Sequence, residues 1–407
     1  MTSRPGRAAG YGVGMQLPAR PVLLVSAATA ASLLGDQVLY SVLPVYYAEL
    51  GLVPLQVGIL LSANRWIRLA TNYLAHVLTE RLGSHRTLFV AAFALGSLTT
   101  AAYTVTGVFL VLLAARVAWG LAWSFIRHLG VLHIMSDTPV GSEGRIMGYY
   151  NGISRLGSVA GLFGGALLVD LLSFVPALWL LAAVSAVSVP LAAASMSGGH
   201  RFVAHLPKTR GPVAGPRAFL ILALILGAVG PGFVMSTLGA VFGSHVERGS
   251  WGVSAATLTG GLLALRFGLD SVAAPWLGGL TDRFGVRAMA AGFFAVGGLS
   301  LLLASRSEDA LMIAMLVMVF FVCGTALQAG IAGTASRFGS AYFSRYVTAA
   351  DLGSACGPLL GWVALDYWGQ ETAGLLIGGV LYLAATGLAV LVSGGVATDV
   401  RARRARG

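Results

Sequence analysis

Residues 154–170 read SRLGSVAGLFGGALLVD and residues 350–366 read ADLGSACGPLLGWVALD. Laid together with a shift of 196, they set Gly157 beside Gly353, Gly161 beside Gly357 and Asp170 beside Asp366. Both are apolar runs with small residues at four-residue spacing, the pattern that lets helices approach closely in lipid. A segment that recurs half a chain away marks two copies of one unit. A shift of 202 finds a second trace of the copy in a loop, where Glu80-Arg81-Leu82-Gly83 matches Asp282-Arg283-Phe284-Gly285.

Working outward, apolar runs between charged or Pro/Gly breaks place six spans near 21–48, 55–79, 87–106, 108–133, 145–169 and 173–195. Six more follow near 217–243, 252–280, 287–305, 310–335, 346–366 and 372–394. The expected organisation is a tail (1–20), a first half (21–195), a polar central loop (196–216), a second half (217–395) and a basic tail (396–407). Composition agrees: the 407 residues are 57% apolar and 10% charged, against about 45–50% and 25% for soluble domains. A span needs ~20 apolar residues, so the chain holds twelve. The expected fold class is an all-α polytopic membrane protein with twelve transmembrane helices in two pseudo-symmetric six-helix halves. The two cysteines, Cys323 and Cys356, lie in apolar runs and offer no disulfide framework or CxxC site. No metal cluster, nucleotide loop or Ser/His/Asp grouping is present, so neither an enzyme nor a cofactor is expected.

The net charge is +11, carried by 25 Arg and the single Lys208. Eighteen of these cations fall in the first tail, the even-numbered loops and the last tail, against Arg248 and Arg306 on the other side. The positive-inside rule then places both termini and the central loop in the cytoplasm, with the chain in the plasma (cytoplasmic) membrane. The final RARRARG (401–407) is read as a topology signal near anionic lipid rather than a nucleic-acid site. The segment from Pro21 through VSAATAAS (25–32) has a signal-peptide look. Cleavage there would leave an odd number of spans, which the duplication forbids.

Two parallel six-span halves form the transporter arrangement in which substrate sits at the midplane between them. Here the chain resembles the major facilitator superfamily, over essentially its whole length. GGLTDRFGVR (278–287) is similar to the loop motif GxxxDRxGRR through Gly278, Asp282, Arg283, Gly285 and Arg287. The first-half copy HVLTERLGSHR (76–86) keeps Arg81 and Gly83 but has His76 for the glycine and Glu80 for the aspartate. Gly83 and Gly285 permit a tight turn, while the acid and arginines at the helix ends can pair and part as the halves rock. Arg116 to Gly120 fits the RxxxG motif of the fourth span. In span five, Gly148, Gly157, Gly161, Gly164 and Gly165 look like the glycine motif of the drug/proton antiporters, with Leu162 for the usual proline and Ala166 for the last glycine. The resemblance implies the major facilitator fold, alternating access and a monomer.

Nine charged residues lie within spans: Arg65, Arg68, Arg116, Arg127, Arg155, Arg266, Asp36, Asp270 and Asp351. Each costs at least ~2.5–3.5 kcal/mol at the bilayer centre if unpaired, so they should face a cavity or one another. The shift of 202 carries Arg68 onto Asp270, and the shift of 196 carries Arg155 onto Asp351, so equivalent positions hold opposite charges. In the fold that the chain resembles, span two packs on eleven and five on eight, so Arg68 can meet Asp351 and Arg155 can meet Asp270. These are expected to be gating ion pairs; static clasps, or Asp351 pairing with Arg81, are the alternatives. Asp36 near the midplane of span one, opposite Arg116, is similar to the proton-coupling arrangement of multidrug/proton antiporters; a permanently ionised pair is the alternative. Arg116, Gly120, Trp123 and Arg127 share one helical face. With Gln37, Tyr40, Asn64, Arg65 and Arg266 they are expected to line the substrate cavity. His128 and His133 could relay protons or serve as interface residues, and Trp119, Tyr46 and Tyr47 could be cavity walls or packing.

Pairing the acids leaves Arg65, Arg127 and Arg266 as surplus cations, which favours an anionic, zwitterionic or amphipathic substrate. The expected function is proton-coupled secondary transport of a small organic compound, with export preferred. An organic-anion/proton symporter for uptake is the alternative, and a non-transporting membrane sensor or assembly factor a distant one. The expected partners are the substrate, protons and lipid, with no nucleic acid.

Overall fold

A computed structural model of the chain describes residues 18–105, 107–136, 138, 142–196, 215–246 and 253–391. Most of the first tail, the whole of the last and nearly all of the 196–216 loop lie outside the described residues, together with half of the eighteen cations that set the expected orientation. Among the described residues the helical segments join end to end into twelve rods. The first half comprises α1 (Arg20–Tyr46), α2 (Pro54–Leu82), α3 (His85–Ala102) and α4 (Phe109–Ser136). It continues with α5 (Glu143–Val159, a π-wound turn Ala160–Gly164, then Gly165–Leu172) and α6 (Phe174–Ala186 and Ser188–Ser195). The second comprises α7 (Arg217–Gly227, π-wound Ala228–Val234, then Met235–His245), α8 (Ala255–Phe284) and α9 (Val286–Ala304). It ends with α10 (Ala310–Ser336), α11 (Ser340–Trp368) and α12 (Ala373–Leu391).

Eight rods are long and apolar enough to cross a membrane by composition; α2, α3, α8 and α11 are the others. The shortfall has a cause in the sequence. The middles of α2, α8 and α11 carry Arg65 and Arg68, Arg266 and Asp270, and Asp351, while α3 opens on His85-Arg86 and is only 18 residues long. Rods that line a cavity trade apolar residues for polar ones.

The packing repeats between halves. The pairs α1–α5, α2–α4, α3–α4, α3–α6 and α1–α6 recur as α7–α11, α8–α10, α9–α10, α9–α12 and α7–α12. Across the seam α2 meets α11, α5 meets α8, and α1 meets α7. The repeated glycines show why the two units fold alike. A Cβ on Gly157 would lie 2.1 Å from Ala30 O in α1, and one on Gly353 2.0 Å from Leu224 O in α7. Only a bare Cα admits either crossing. The loop turns are also built as the motif requires, with Gly83 at φ 60° and Gly285 at φ 82°, where a side chain would be strained.

Both described ends of the chain, Arg20 and Leu391, leave from one end of the bundle, here the near end. One apolar core joins the halves toward the far end, from Leu34–Leu43 of α1 to Phe233–Phe242 of α7 and Trp362 of α11, and in the second half continues to the near end through Phe219, Ala335 and Tyr342. At the near end the first half has a separate core around Val25, Phe89, Phe125, Ile134 and Tyr150. The halves are thus fused by hydrophobic packing at the far end and parted at the near end.

Candidate functional site

Between the halves lies a cavity of about 380 Å³, lined by α1, α2, α4, α5, α7, α8 and α10. It widens toward the near end, where its lining residues Arg127 and Asn151 are exposed. Its wall includes Asp36, which is 5% exposed; of the α4 face expected to line it, Trp123 and Arg127 do, whereas Gly120 does not and the almost fully buried Arg116 sits behind the Asp36 carboxylate, outside the lining. Arg116 Nη1 donates to Asp36 Oδ1. Asn64 donates to the same oxygen at 3.2 Å, and Gln37 to Oδ2 at 2.9 Å. Arg116 spends its other donors on Leu60 O at 2.9 Å and the Tyr40 hydroxyl at 3.3 Å. The carboxylate is thus saturated from three rods, α1, α2 and α4. A buried charge pair persists only when its remaining hydrogen-bonding positions are filled in this way. Tyr40 is held between two guanidiniums, Arg65 at 5.3 Å and Arg116 at 5.6 Å from its ring centre.

The structure brings Arg155 of α5 and Asp270 of α8 together at 3.6 Å across the seam. Asp270 Oδ1 also accepts from the Thr325 hydroxyl of α10. Arg155 further lies over the Phe267 ring at 4.9 Å. Arg68 and Asp351 are not joined: among the described residues Arg68 makes no ion pair within 4.0 Å, and its buried Nε lacks a hydrogen-bond partner. Arg68 lines the cavity together with Arg65 and Arg127, whereas Asp351 does not. The gap has a mechanical reason, since this pair lies on the parted side of the seam. The other proposed partner of Asp351, Arg81, is exposed and makes no ion pair with it.

Arg65 differs from the expectation of a surplus cavity cation. Although it lines the cavity, its Nη1 donates to Pro231 O at 2.8 Å and Ser354 O at 2.6 Å, tying α2 of one half to α7 and α11 of the other. The Gly230-Pro231-Gly232 break causes this. Proline removes an N–H, the helix widens into a π turn, and the altered turn presents Pro231 O across the seam. Arg266, 8% exposed, has no acid within ion-pair distance among the described residues; it contacts Met235 Sδ at 3.6 Å and lies over Phe321 at 4.9 Å. Trp119 and Trp123 stack at 6.1 Å along α4, and both line the cavity.

Other expected residues take lesser places. In span five, Gly161 would press a Cβ within 2.7 Å of Leu34 O and Gly165 within 2.6 Å of Val38, whereas Gly148 and Gly164 meet nothing within 4 Å. Arg283 and Arg287 are exposed, and the side-chain positions of Gly278 and Asp282 lie outside the described residues. Glu80 lies 3.6 Å from His76, whose ring meets that of His128 at 5.8 Å. His133 contacts Ser195 O at 3.0 Å, joining α4 to α6, and Tyr47 packs edge-on against Trp362 at 5.2 Å.

Sequence reasoning did not single out the far-end seal. The Asp170 carboxylate of α5 accepts from Tyr46 Oη at 3.0 Å and from the hydroxyls of Ser254 and Thr257 at the start of α8. The available signal was the repeated Asp170/Asp366 pair, an acid at the end of two matched helices. Above this seal a second cavity, of about 680 Å³, opens at the far end.

A family model described as Major Facilitator Superfamily matches residues 25–269. No curated protein matches the chain. Among solved structures, a bacterial homologue of the human lysosomal transporter Spinster, inward-facing and occupied, matches with a TM-score of 0.76 at 15% identity, over 93% of this chain and 97% of that one. The same protein in an inward-facing, unoccupied form gives 0.68 at 15%, over 92% and 95%. A variant of the nucleoside transporter NupG gives 0.69 at 11%, over 91% and 98%. At these identities the likeness speaks for the fold.

Proposed function

The chain belongs to the major facilitator superfamily and is a multi-pass membrane transporter rather than an enzyme, and from that premise we propose that it couples protons to the movement of a small organic compound by alternating access. The observation that carries this is the buried pair made by Asp36, which lines the cavity, with Arg116 directly behind it. When Asp36 takes up a proton its charge disappears and Arg116 is left uncompensated in a low-dielectric wall. The cavity's affinity for a charged ligand therefore differs between the two protonation states, and a difference of that kind is what coupling requires. The protein sits in the plasma membrane as a monomer with both termini in the cytoplasm, so the near end faces the cytoplasm and this conformation is inward-open.

Alternating access follows from two unlike ends. At the far end Asp170 and the shared apolar core hold the halves; at the near end Arg155–Asp270 spans the seam while Arg68 and Asp351 stand apart. Rocking the halves closed at the near end brings Arg68 to Asp351, in exchange for the Asp170 contacts that break. The substrate is anionic, zwitterionic or amphipathic, and export by exchange with protons is favoured by the span-five glycines. The arginines without acids favour a second reading, organic-anion/proton symport, because protonating Asp36 strengthens anion binding.

The test is transport in proteoliposomes. Compounds that stabilise the purified protein against heat at two pH values are loaded into or placed outside the vesicles, and an inward proton gradient is imposed. Emptying supports exchange, filling supports symport, and gradient-independent movement in both wild type and Asp36→Asn overturns proton coupling.

A further inference from the structure

Both acids of the cavity are spoken for. Asp36 is saturated by Arg116, Asn64 and Gln37, and Asp270 by Arg155 and the Thr325 hydroxyl. Not all of the cations are: Arg65 is committed to backbone carbonyls, whereas Arg68, Arg127 and Arg266 have no acid within ion-pair distance among the described residues. Arg68 and Arg127 line the same cavity. Two guanidiniums of like charge on one cavity wall repel, so an anion that bridges them removes the repulsion.

The wall beside them is flat and apolar. Trp119, Trp123 and Arg127 follow at four-residue steps along α4, so each lies about 6 Å from the next along the axis. A cavity of about 380 Å³ is within the range that holds small organic ligands.

We propose that the cavity takes a planar aromatic organic anion, its negative group bridging Arg68 and Arg127 and its ring body lying against Trp123, whose indole is backed by the buried Trp119. This rests on the reading of the cavity as the transport site, and it narrows the substrate class. It also gives Asp351 a part: in the empty protein it is the anion that meets Arg68 on closure, and a bound ligand takes its place.

Equilibrium binding to the full-length purified protein, by calorimetry at one fixed pH, tests it. The probes are 2-naphthoate, 2-naphthalenesulfonate and 2-naphthyl phosphate, with neutral 2-naphthamide and cationic 2-naphthylmethylamine for comparison. At least one anion is expected to bind ten-fold or more tighter than the amide and the amine. Arg68→Gln and Arg127→Gln should each lower that affinity by about ten-fold, and Arg68→Lys by less. Arg306→Gln, in a far-end loop, should leave it unchanged. The proposal is overturned if none of the anions binds, if the amine binds as tightly, or if the anion preference survives Arg68→Gln with Arg127→Gln in a protein whose melting temperature shows it folded. Binding at fixed pH needs neither a gradient nor transport. A failure here leaves proton coupling standing, and a failure of coupling leaves this site standing.

Discussion

Replacing Asp36 by asparagine isolates the charge of the buried pair from its shape. The amide is nearly isosteric and keeps an oxygen to accept from Arg116 or Asn64, while Arg116 keeps Leu60 O and Tyr40 Oη. What disappears is the attraction between two unit charges, about 4 kcal/mol at 4 Å for an effective dielectric of about 20. The contact is closer than that, and Arg116 is 1% exposed, so water cannot step in. Breaking a buried pair from one side costs roughly 3–5 kcal/mol, and the loss expected for Asp36→Asn is within that window. Arg116→Gln should cost a similar amount by stranding the carboxylate. The double variant should cost less than the sum, leaving a coupling energy above about 1 kcal/mol. The assay is reversible unfolding in mixed micelles for the four proteins of the cycle. Single losses that add within about 0.5 kcal/mol would refute the view that the two charges hold each other. The same variants, reconstituted, should carry substrate down its own gradient but lose proton-driven accumulation.

Three further outcomes follow from the geometry. Gly157→Ala and Gly353→Ala should each destabilise by about 1–3 kcal/mol or more, because the added Cβ meets a helix carbonyl; Gly164→Ala, with nothing within 4 Å, should be within ~0.5 kcal/mol of wild type, and equal losses at all three positions would contradict the close crossings. Asp170→Ala should loosen the far-end seal, read as faster labelling by a membrane-impermeant thiol reagent, added from the far side to a protein with Cys323 and Cys356 replaced by alanine, of a cysteine placed at Ser158, which lines the central cavity; an unchanged rate would mean that the apolar core alone closes that end. Arg155→Asp and Asp270→Arg should each slow transport, and the combination should restore it, since the pair spans the seam at 3.6 Å; its half-exposed arginine limits the stability effect to about 1 kcal/mol or less, so transport rather than melting is the readout.

Much of this protein is written in one dimension. Hydropathy marks most of the spans because lipid offers no partner to a backbone polar group, and a duplicated unit repeats its own contacts, as Gly157 and Gly353 do. An ionisable residue inside a span has few places to go, which is why Asp36, Arg116, Arg155 and Asp270 could be named in advance and lie together at the seam and cavity wall. Other partners were not legible. Arg65 is captured by carbonyls that a proline-driven π turn presents, and backbone acceptors leave no signature in side-chain charge. Asp170 finds its hydroxyl donors on a rod 84 residues and more away, by a rotation about the helix axis that periodicity does not specify. Arg68 stands apart from Asp351 because the near end is open in this conformation. Composition and repetition are properties of the chain and dictate which rods exist and in what order; the partner of each buried charge depends on how those rods are turned and on which end of the seam is parted.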